Sequence, residues 1–345
     1  MMATDGSLRG VMIGAGYFGD VQADAWQRVE GARIVAVCDR DEPRARKMAD
    51  RYGIEQVYAD AAAMLDAERP DFVDIVTRPD AHLALTRLAA ERGCHVLCQK
   101  PAAATLDEAR RIVDVCAQRD VRLMINENWR WQPWYRWLRD AIARGEIGEP
   151  FHSRVVIRRG DGQGSDAFAR QPYFREMPRL LIFETLIHTI DVSRFLFGDV
   201  GRVACVHRRL NPHLAGEDYA LLTLEMASGV TVLVDANRYA PPAVKPFRIP
   251  ETTTVEGTGG TLSLTMDGGI ERRGLDGTTQ CETRDWPDVG YFGDAARATQ
   301  QHFVDGLRTG APFETDGPDN LKTLATVFAA YDAAEKRAWV QVGVG

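Results

Sequence analysis

The sequence has no long apolar run. Its 345 residues contain no stretch that reaches the roughly 18 consecutive apolar residues required by a membrane-spanning helix. The opening residues, MMATDGSLRG, also lack the apolar core of a secretory signal. We therefore expect a cytoplasmic protein that has no membrane partner.

Cysteine is scarce, and basic residues do not outnumber acidic ones. The six cysteines are scattered without a CxxC pair: Cys38, Cys94, Cys98, Cys116, Cys205 and Cys281. This scatter favours reduced structural thiols over disulfides and predicts no metal site. A net charge of -7 gives no reason to expect a nucleic-acid partner. The composition, 45% hydrophobic and 26% charged, is typical of a globular chain with roughly two domains.

A glycine-rich turn follows the first predicted strand. The run LRGVMI continues into GAGYFG, where Gly14, Gly16 and Gly19 occupy the three glycine positions of a dinucleotide-binding turn. Glycines allow the tight turn and the close approach of a pyrophosphate, which the amino end of the next helix attracts. The sequence therefore predicts a cofactor site that includes the two aromatic residues of the turn, Tyr17 and Phe18.

The second predicted strand supplies a carboxylate. The run ARIVAVCD ends at Asp39, 20 residues after Gly19, which is the spacing expected for an acid that binds the ribose of NAD. A carboxylate at this place would repel the 2′-phosphate of NADP, whereas the guanidinium of the neighbouring Arg40 would attract it. We expect NAD as the cofactor and NADP as the weaker alternative.

Strands and helices continue to alternate through the first part of the chain. Helices are predicted at 43–52, 81–92 and 106–119, and strands at 72–76, 95–98 and 121–125. This alternation predicts an α/β domain over residues 1–126, a Rossmann domain built on a doubly wound parallel sheet.

Polar residues gather at the carboxyl ends of these strands, the edge where such sheets bind ligands. The cofactor-binding candidates at this edge are Thr77, Pro79, His82, Gln99 and Lys100. For His82, a surface position without a cofactor contact is an equally good interpretation. Lys100 is also a candidate base, because an ammonium beside an apolar strand loses hydration and can exchange a proton with a substrate hydroxyl.

The second part of the chain follows a different pattern. The runs FHSRVVI, GRVACVHRR, DYALLTLEM and VTVLVDAN show partial period-two alternation, with Ser228-Gly229 as a hairpin turn between the last two. They predict an α+β domain over residues 127–345, built on a large, mostly antiparallel sheet, with a final helix at 319–337 that packs back on the first domain. Because water or another subunit must cover one face of this sheet, we expect a homodimer or homotetramer.

A long helix in this part carries three aligned ionisable residues. The run LLIFETLIHTIDVSRFLFG, at 180–198, has helical length and ends in a glycine. Glu184, His188 and Asp191 are spaced i, i+4 and i+7, which places them on one face. Because ionisable groups are seldom buried without a partner, this face is expected to line a cleft. The alternative is a structural network in which Glu184 and Asp191 orient His188.

These motifs, in this order, resemble the Gfo/Idh/MocA oxidoreductases over essentially the whole chain. GAGYFG with Asp39 resembles the family's nucleotide fingerprint, and QKP resembles its EKP segment. NWRWQP is similar to its N-x-R-x-x-P segment, and ETLIHTID is similar to its D-x-G-x-H-x-x-D helix. Gln99 replaces the common glutamate, and Glu184 and Leu186 replace the usual aspartate and glycine.

The resemblance implies an NAD-dependent dehydrogenase that oxidises a sugar carbinol. It implies that Asn128 contacts the cofactor, that Lys100 is the central acid/base group, and that His188 and Glu184 complete the catalytic set, with His188 also the competing base. We expect Lys100 and His188 to hold one hydroxyl between them. The other candidates for the substrate wall are Trp129, Arg130, Tyr173, Arg175, Arg179 and Asp191.

The substrate follows from a narrower resemblance. QKP, NENWRWQPWY, GDGQG and RQPYFREMPR together look most like a subgroup that contains D-apiose dehydrogenases, which implies oxidation of an aldose at C1 to a lactone. Two alternatives stay open: an NAD-using glycoside hydrolase, also known in this family, and a non-catalytic dinucleotide sensor. Net formation of NADH from a free sugar distinguishes the dehydrogenase from both.

Overall fold

The computed structural model describes residues 6–343, which form two compact units. The first unit contains the chain up to Trp131 together with Val289–Leu321, and the second contains Gln132–Asp288 and the chain from Lys322 onward. No helix within residues 6–343 is both long enough and apolar enough to cross a bilayer.

The first unit begins with regularly alternating strands and helices. Its strands are β1 (Leu8–Ile13), β2 (Ala32–Cys38), β3 (Gln56–Tyr58), β4 (Phe72–Ile75), β5 (His95–Gln99) and β6 (Leu123–Asn126). Its helices are α1 (Tyr17–Trp26), α2 (Glu42–Tyr52), α3 (Ala61–Glu68), α4 (Pro79–Ala90) and α5 (Leu106–Gln118). The sequence-based prediction missed β3 and α3, because β3 has 3 residues and none of them is buried, so it carries no apolar periodicity.

The six strands form one parallel sheet in the order β3-β2-β1-β4-β5-β6. This is the order of a doubly wound Rossmann fold, in which helices cover both faces. Strand β4 is buried along its whole length, as expected for a strand with both faces covered. The predicted fold class of this part is confirmed.

The remaining elements run from α6 to β15. The helices are α6 (Pro133–Ala143), α7 (Ile187–Phe197), α8 (Ala295–Thr309) and α9 (Gly317–Lys336). The strands are β7 (Pro150–Arg158), β8 (Val200–Arg208), β9 (Tyr219–Met226), β10 (Thr231–Asn237), β11 (Thr252–Gly257), β12 (Gly260–Leu264), β13 (Gly269–Gly274), β14 (Thr279–Thr283) and β15 (Val340–Gln341).

Helix α8 belongs to the first unit, although the sequence-based boundary at residue 126 assigned it to the second domain. Its Phe303 ring packs edge-on against Phe72 of β4, with the ring centroids 5.4 Å apart. Its Gln300 amide donates to the side chain of Gln22 in α1 at 2.8 Å. The boundary prediction is wrong here because these contacts join residues that are far apart in sequence. Helix α9 begins in the first unit and continues in the second.

The second unit is built on a nine-stranded sheet in the order β14-β13-β12-β11-β7-β10-β9-β8-β15. Most neighbouring pairs are antiparallel, as predicted, whereas β7 pairs with β10 in parallel. Strand β9 alternates strictly, and its Ala220, Leu222, Leu224 and Met226 are buried on one face. Gly229, with φ of 91°, forms the predicted hairpin turn between β9 and β10.

Candidate active site

The glycine turn of the first unit has the geometry that a dinucleotide requires. Gly14 has φ of 108°, and a Cβ on it would lie 2.2 Å from the carbonyl oxygen of Val76. A Cβ on Gly19 would lie 2.5 Å from the carbonyl oxygen of Gly14, so close packing of α1 on the turn also requires glycine. By contrast, beyond Gly16 itself and its adjacent backbone, no heavy atom of residues 6–343 lies within 4 Å of a Cβ built on Gly16, at the amino end of α1. This open space at a helix N-terminus suits a pyrophosphate.

The predicted ribose acid lies directly beside this turn. The Asp39 carboxylate accepts hydrogen bonds from the backbone N–H of Ala15 at 2.8 Å and from that of Asp41 at 2.9 Å. Arg40 is exposed, and so is Tyr17, whose side chain is 50% accessible. Phe18 packs edge-on against Tyr291 at 5.4 Å. The turn and the acid are therefore one preorganised structure.

Buried amides at the carboxyl ends of β5 and β6 also fit a ligand. Asn126 and Asn128 are fully buried, and within residues 6–343 neither side-chain amide has a hydrogen-bond partner. The Nε2 group of buried Gln99 also lacks a partner within that part of the chain. Buried polar groups nearly always pair with protein, water or ligand, so these amides are available to a polar cofactor. NAD fits this unit: the glycine turn and Asp39 would hold its adenosine half.

Lys100 lies at the carboxyl end of β5, as predicted. It is half-buried and is joined to Pro101 by a cis peptide bond. The Oε1 atom of Gln99 accepts a hydrogen bond from the backbone N–H of Lys100 at 2.7 Å, so the residue before the lysine fixes its backbone.

His82 is fully buried, so the plain surface position considered for it is wrong. Its Nδ1 lies 3.0 Å from the carbonyl oxygen of Ala102, and its Nε2 lies 3.0 Å from that of Thr77. Burial lowers the pKa of His82, so the ring is neutral at pH 7 and donates to one of the two carbonyls. The ring therefore lies between the turn that follows β4 and the turn that contains Lys100, and its single N–H binds one of them.

The NWRWQP segment follows β6 and begins with a short 3₁₀ helix, Trp129–Trp131. Trp129 is buried, and its ring meets Phe292 with centroids 6.4 Å apart. The Arg130 guanidinium donates to the carbonyl oxygen of Glu314 at 2.9 Å and lies 3.5 Å from the Asp319 carboxylate. These contacts bind Arg130 into its own unit.

The helix predicted at 180–198 consists of two parts in the second unit. Residues Leu181–Leu186 form a π-helix, and α7 follows directly, with Gly198 as the predicted C-cap. Because Glu184 lies in the π-helix and His188 in α7, the expectation of three groups aligned on one α-helix is wrong for Glu184. The start of the π-helix is capped by a tertiary contact: the buried Glu217 carboxylate accepts from the N–H groups of Leu180 at 3.2 Å and Ile182 at 2.9 Å. Such π-turns are frequent at functional sites.

The polar residues of this helix have different partners. The Glu184 carboxylate accepts from Thr185 Oγ1 at 2.7 Å and from the guanidinium of Arg238 at 3.1 Å. Asp191 is fully buried and accepts from Thr323 Oγ1 at 3.2 Å, while His188 is 5% exposed. Of the three, His188 and Asp191 are thus buried, and Glu184 is partly buried with its carboxylate held by Arg238.

Three residues of the predicted substrate wall precede the π-helix, two of them in a 3₁₀ helix, Pro172–Glu176. Tyr173 is 39% exposed, and Arg175 donates to the carbonyl oxygen of Ser165 at 3.0 Å. Arg179 stacks over the rings of Phe328 at 5.1 Å and Tyr331 at 5.4 Å.

A buried carboxyl group contacts the residue that follows the histidine. Glu251 is fully buried; it accepts hydrogen bonds from the Tyr135 hydroxyl and from Thr189 Oγ1, the latter at 3.3 Å. Burial raises the pKa of Glu251 to about 7. Because Thr189 follows His188 in α7, Glu251 helps to fix the part of the helix that carries the imidazole.

Sequence reasoning missed Arg238, Glu217 and Glu251. Arg238 directly follows β10, and Glu251 directly precedes β11, so both occupy strand ends where polar side chains collect. That signal identifies candidates without identifying their partners. Among residues 6–343, no cluster of three or more histidine, cysteine or acidic side chains is placed to hold a metal ion.

The doubly wound sheet and its glycine turn, with the Asp39 carboxylate beside it, are the features of a dinucleotide-binding protein. The chain belongs to the Gfo/Idh/MocA oxidoreductase family. Residues 8–127 match the family's NAD-binding Rossmann fold, and residues 135–263 match its C-terminal domain. The predicted family and cofactor are confirmed.

Similar proteins cover nearly the whole chain. It is 41% identical to a D-apiose dehydrogenase from Paraburkholderia graminis, covering 97% of this chain and 90% of the relative. It is 38% identical to a D-apiose dehydrogenase from Rhizobium rhizogenes, covering 97% and 98%. An oxidoreductase from Agrobacterium radiobacter, solved in complex with NAD+, L-tartaric acid and magnesium, superposes with a TM-score of 0.91 at 37% identity, covering 98% and 99%.

Proposed function

We propose that this protein is an NAD-dependent dehydrogenase that oxidises D-apiose at C1 to a lactone. The observation that carries the proposal is the 41% and 38% identity, over 97% of the chain, to two D-apiose dehydrogenases. The preorganised glycine turn and Asp39 support NAD as the oxidant. When bound, NAD supplies the acceptor for the hydride that leaves the sugar carbon.

In this proposal Lys100 is the central acid/base group. It takes up the proton of the sugar hydroxyl as the carbinol is oxidised and returns it to solvent or to another group. Two features of the first unit support the assignment: Lys100 is half-buried at the ligand-binding edge of the sheet, and its backbone is fixed by the neutral side chain of Gln99. The buried His82 ring packs against the same turn, with its Nδ1 3.0 Å from the carbonyl oxygen of Ala102.

His188 and Glu184 are proposed as the substrate-binding groups of the second unit, with His188 the second group that handles a proton. A buried imidazole and a carboxylate held by Arg238 are suited to hydrogen bonding with sugar hydroxyls. Asp191, bonded to Thr323, is proposed to fix the helix beside them. Roles in sugar binding for Trp129, Arg130, Tyr173 and Arg179 stay predictions, of which Tyr173 is favoured by its exposure.

We further propose a homo-oligomer that associates through one face of the nine-stranded sheet. Val206, Leu221 and Asp235 are directly paired across β8, β9 and β10 and therefore lie on one face. Val206 is 52% exposed there, so this face offers an apolar side chain that a second subunit would cover. A cytoplasmic location is proposed as well, supported by six free thiols, of which five are buried.

The proposal is tested by incubating the protein with NAD and single free sugars: D-apiose, other pentoses and hexoses. We expect NADH to form in proportion to the sugar consumed, with D-apiose the best substrate and a lactone or its aldonic acid as the product in nuclear magnetic resonance spectra. A ketose product would move the oxidised carbon away from C1. Release of an aglycone from a glycoside without net NADH would instead identify the hydrolase alternative.

A further inference from the structure

Arg238 occupies an unusual environment in the second unit. The residue is 8% exposed and directly follows β10. Its guanidinium carbon lies 5.0 Å from the ring centroid of Phe168 and 5.4 Å from that of Phe174. The cation is therefore packed against two aromatic rings of the loop that precedes the π-helix.

The two ends of the guanidinium bind two different segments. One end donates to the Asp161 carboxylate at 2.8 Å. The other end donates to the Glu184 carboxylate at 3.1 Å and to Thr185 Oγ1 at 2.6 Å. Arg238 thus bridges the loop and the π-helix with charge-assisted hydrogen bonds at both ends.

The backbone of Arg238 is fixed independently of its side chain. Its N–H donates to the carbonyl oxygen of Asp218 at 2.8 Å, and its carbonyl oxygen accepts from the N–H of Gly162 at 2.9 Å. The side chain of Asn211 holds the same loop by donating to the carbonyl oxygens of Gly162 and Gly164. The guanidinium is therefore presented from a rigid base, and substitution of the side chain leaves these backbone anchors in place.

We propose that Arg238 is a positioning residue that sets the affinity for the sugar by fixing the carboxylate of Glu184 and the π-turn around it. The proposal rests on the function proposed above, because it takes Glu184 as a substrate-binding group. A planar guanidinium can donate in two directions at once, to Asp161 and to Glu184, in a fixed geometry. A lysine ammonium keeps the charge and cannot span both partners in that geometry.

The principal variant is Arg238→Lys, because it keeps a cation between the two carboxylates and so avoids an unpaired buried charge. Its matched control is Arg272→Lys. Arg272 also bridges two carboxylates, Glu146 and Glu282, and stacks over an aromatic ring, Trp137, at 5.3 Å. We expect Arg238→Lys to raise the KM for D-apiose at least about tenfold, since charge-assisted bonds are lost. The Kd of Arg238→Lys for NADH should stay within about twofold of the wild-type value. The kinetic constants of Arg272→Lys should also stay within about twofold of wild type, because neither quantity depends on the hydrogen bonds of the Arg238 guanidinium.

A double-mutant cycle with Glu184→Gln tests whether Arg238 acts through Glu184. If it does, the double variant should have a KM no more than about threefold above that of the worse single variant, because the second change removes an interaction already lost. If the fold-changes in KM of the two single variants multiply in the double variant, Arg238 and Glu184 act independently on sugar binding, and the proposal is overturned.

Hydrogen–deuterium exchange of the amides of residues 180–188 provides a readout that needs no sugar. We expect faster exchange in Arg238→Lys than in wild type and Arg272→Lys, while exchange elsewhere in the second unit stays unchanged. If wild-type protein oxidises no sugar, the proposed function fails, and the inference about sugar affinity fails with it; the exchange data would then separately decide whether Arg238 fixes the π-turn. If the wild type is active and Arg238→Lys leaves both exchange and KM unchanged, the inference alone is overturned. Faster exchange with an unchanged KM would also overturn it, because Arg238 would then be a structural residue without influence on the sugar.

Discussion

The Asp39 carboxylate accepts the backbone N–H of Ala15 at 2.8 Å and thereby joins the end of β2 to the glycine turn. The proposed cofactor site gives this carboxylate a second role, because an acid at this place discriminates between the 2′-substituents of the ribose. We therefore expect cofactor preference and turn geometry to depend on the same side chain.

This relationship predicts a strong preference for NAD. Asp39→Ala should weaken NADH binding by about tenfold or more, since a hydrogen bond to a charged group is worth about 1.5–3 kcal/mol, and should weaken NADPH binding much less. Asp39→Asn keeps an acceptor for the Ala15 N–H and is the matched control for loss of the turn. Fluorescence titration with both reduced cofactors measures the preference; tighter binding of NADPH to the wild type would show that Arg40 governs the site.

His82 should be important for the stability of the first unit. His82→Leu leaves the carbonyls of Thr77 and Ala102 without the imidazole and should lower the free energy of unfolding by about 1–3 kcal/mol. His82→Gln restores an amide donor and should lose less. Denaturant unfolding of the two variants measures the difference, and equal stability of His82→Leu and wild type would show that the bridge between the turns is unimportant.

Asp74 should make stability depend on pH. Burial in β4 raises its pKa from 3.8 to about 7, although the Trp26 indole donates to it at 2.8 Å. The folded state then binds a proton that the unfolded state releases above about pH 4. The stabilisation is therefore complete below the unfolded pKa and is lost as pH rises towards 7; a tenfold difference in proton affinity is worth about 1.4 kcal/mol.

The variant Asp74→Asn removes this titration. The melting temperature of Asp74→Asn, relative to wild type, should be higher at pH 8 than at pH 5. The exposed carboxylate of Asp50 provides the control, because Asp50→Asn should show no such trend. If the melting temperatures of Asp74→Asn and wild type differ by the same amount from pH 5 to pH 8, Asp74 is ionised in the folded protein over that whole range.

If the proposed subunit interface is correct, a charge placed in it should lower the molecular mass of the oligomer. Wild-type protein should be a dimer or tetramer at micromolar concentration, and Val206→Glu should reduce its mass by placing a charge on the half-exposed sheet face. Leu275→Glu is the control, since Leu275 is 77% exposed and follows β13. Light scattering measures both variants, and a monomeric wild type would contradict the proposed association.

Local patterns predicted the first unit better than the second. The glycine turn, Asp39 and the buried parallel strands depend on residues close in sequence, and the structure places them as expected. The capping of the π-helix was not predictable, because the carboxylate that accepts the Leu180 N–H is that of Glu217, 37 residues later. The bond between Arg238 and Glu184 spans 54 residues, and sequence periodicity contains no information about such contacts.

The central claim is that Lys100 is the acid/base group of an NAD-dependent sugar dehydrogenase. The most direct measurement compares turnover of D-apiose by wild type and Lys100→Met at saturating NAD, with the Kd for NADH measured in parallel. Loss of a positioned acid/base group lowers rates by about 10² to 10⁴, so turnover should fall on that scale while NADH affinity stays nearly unchanged. A Lys100→Met protein that keeps more than about a tenth of wild-type turnover would contradict the assignment and transfer the role of base to His188.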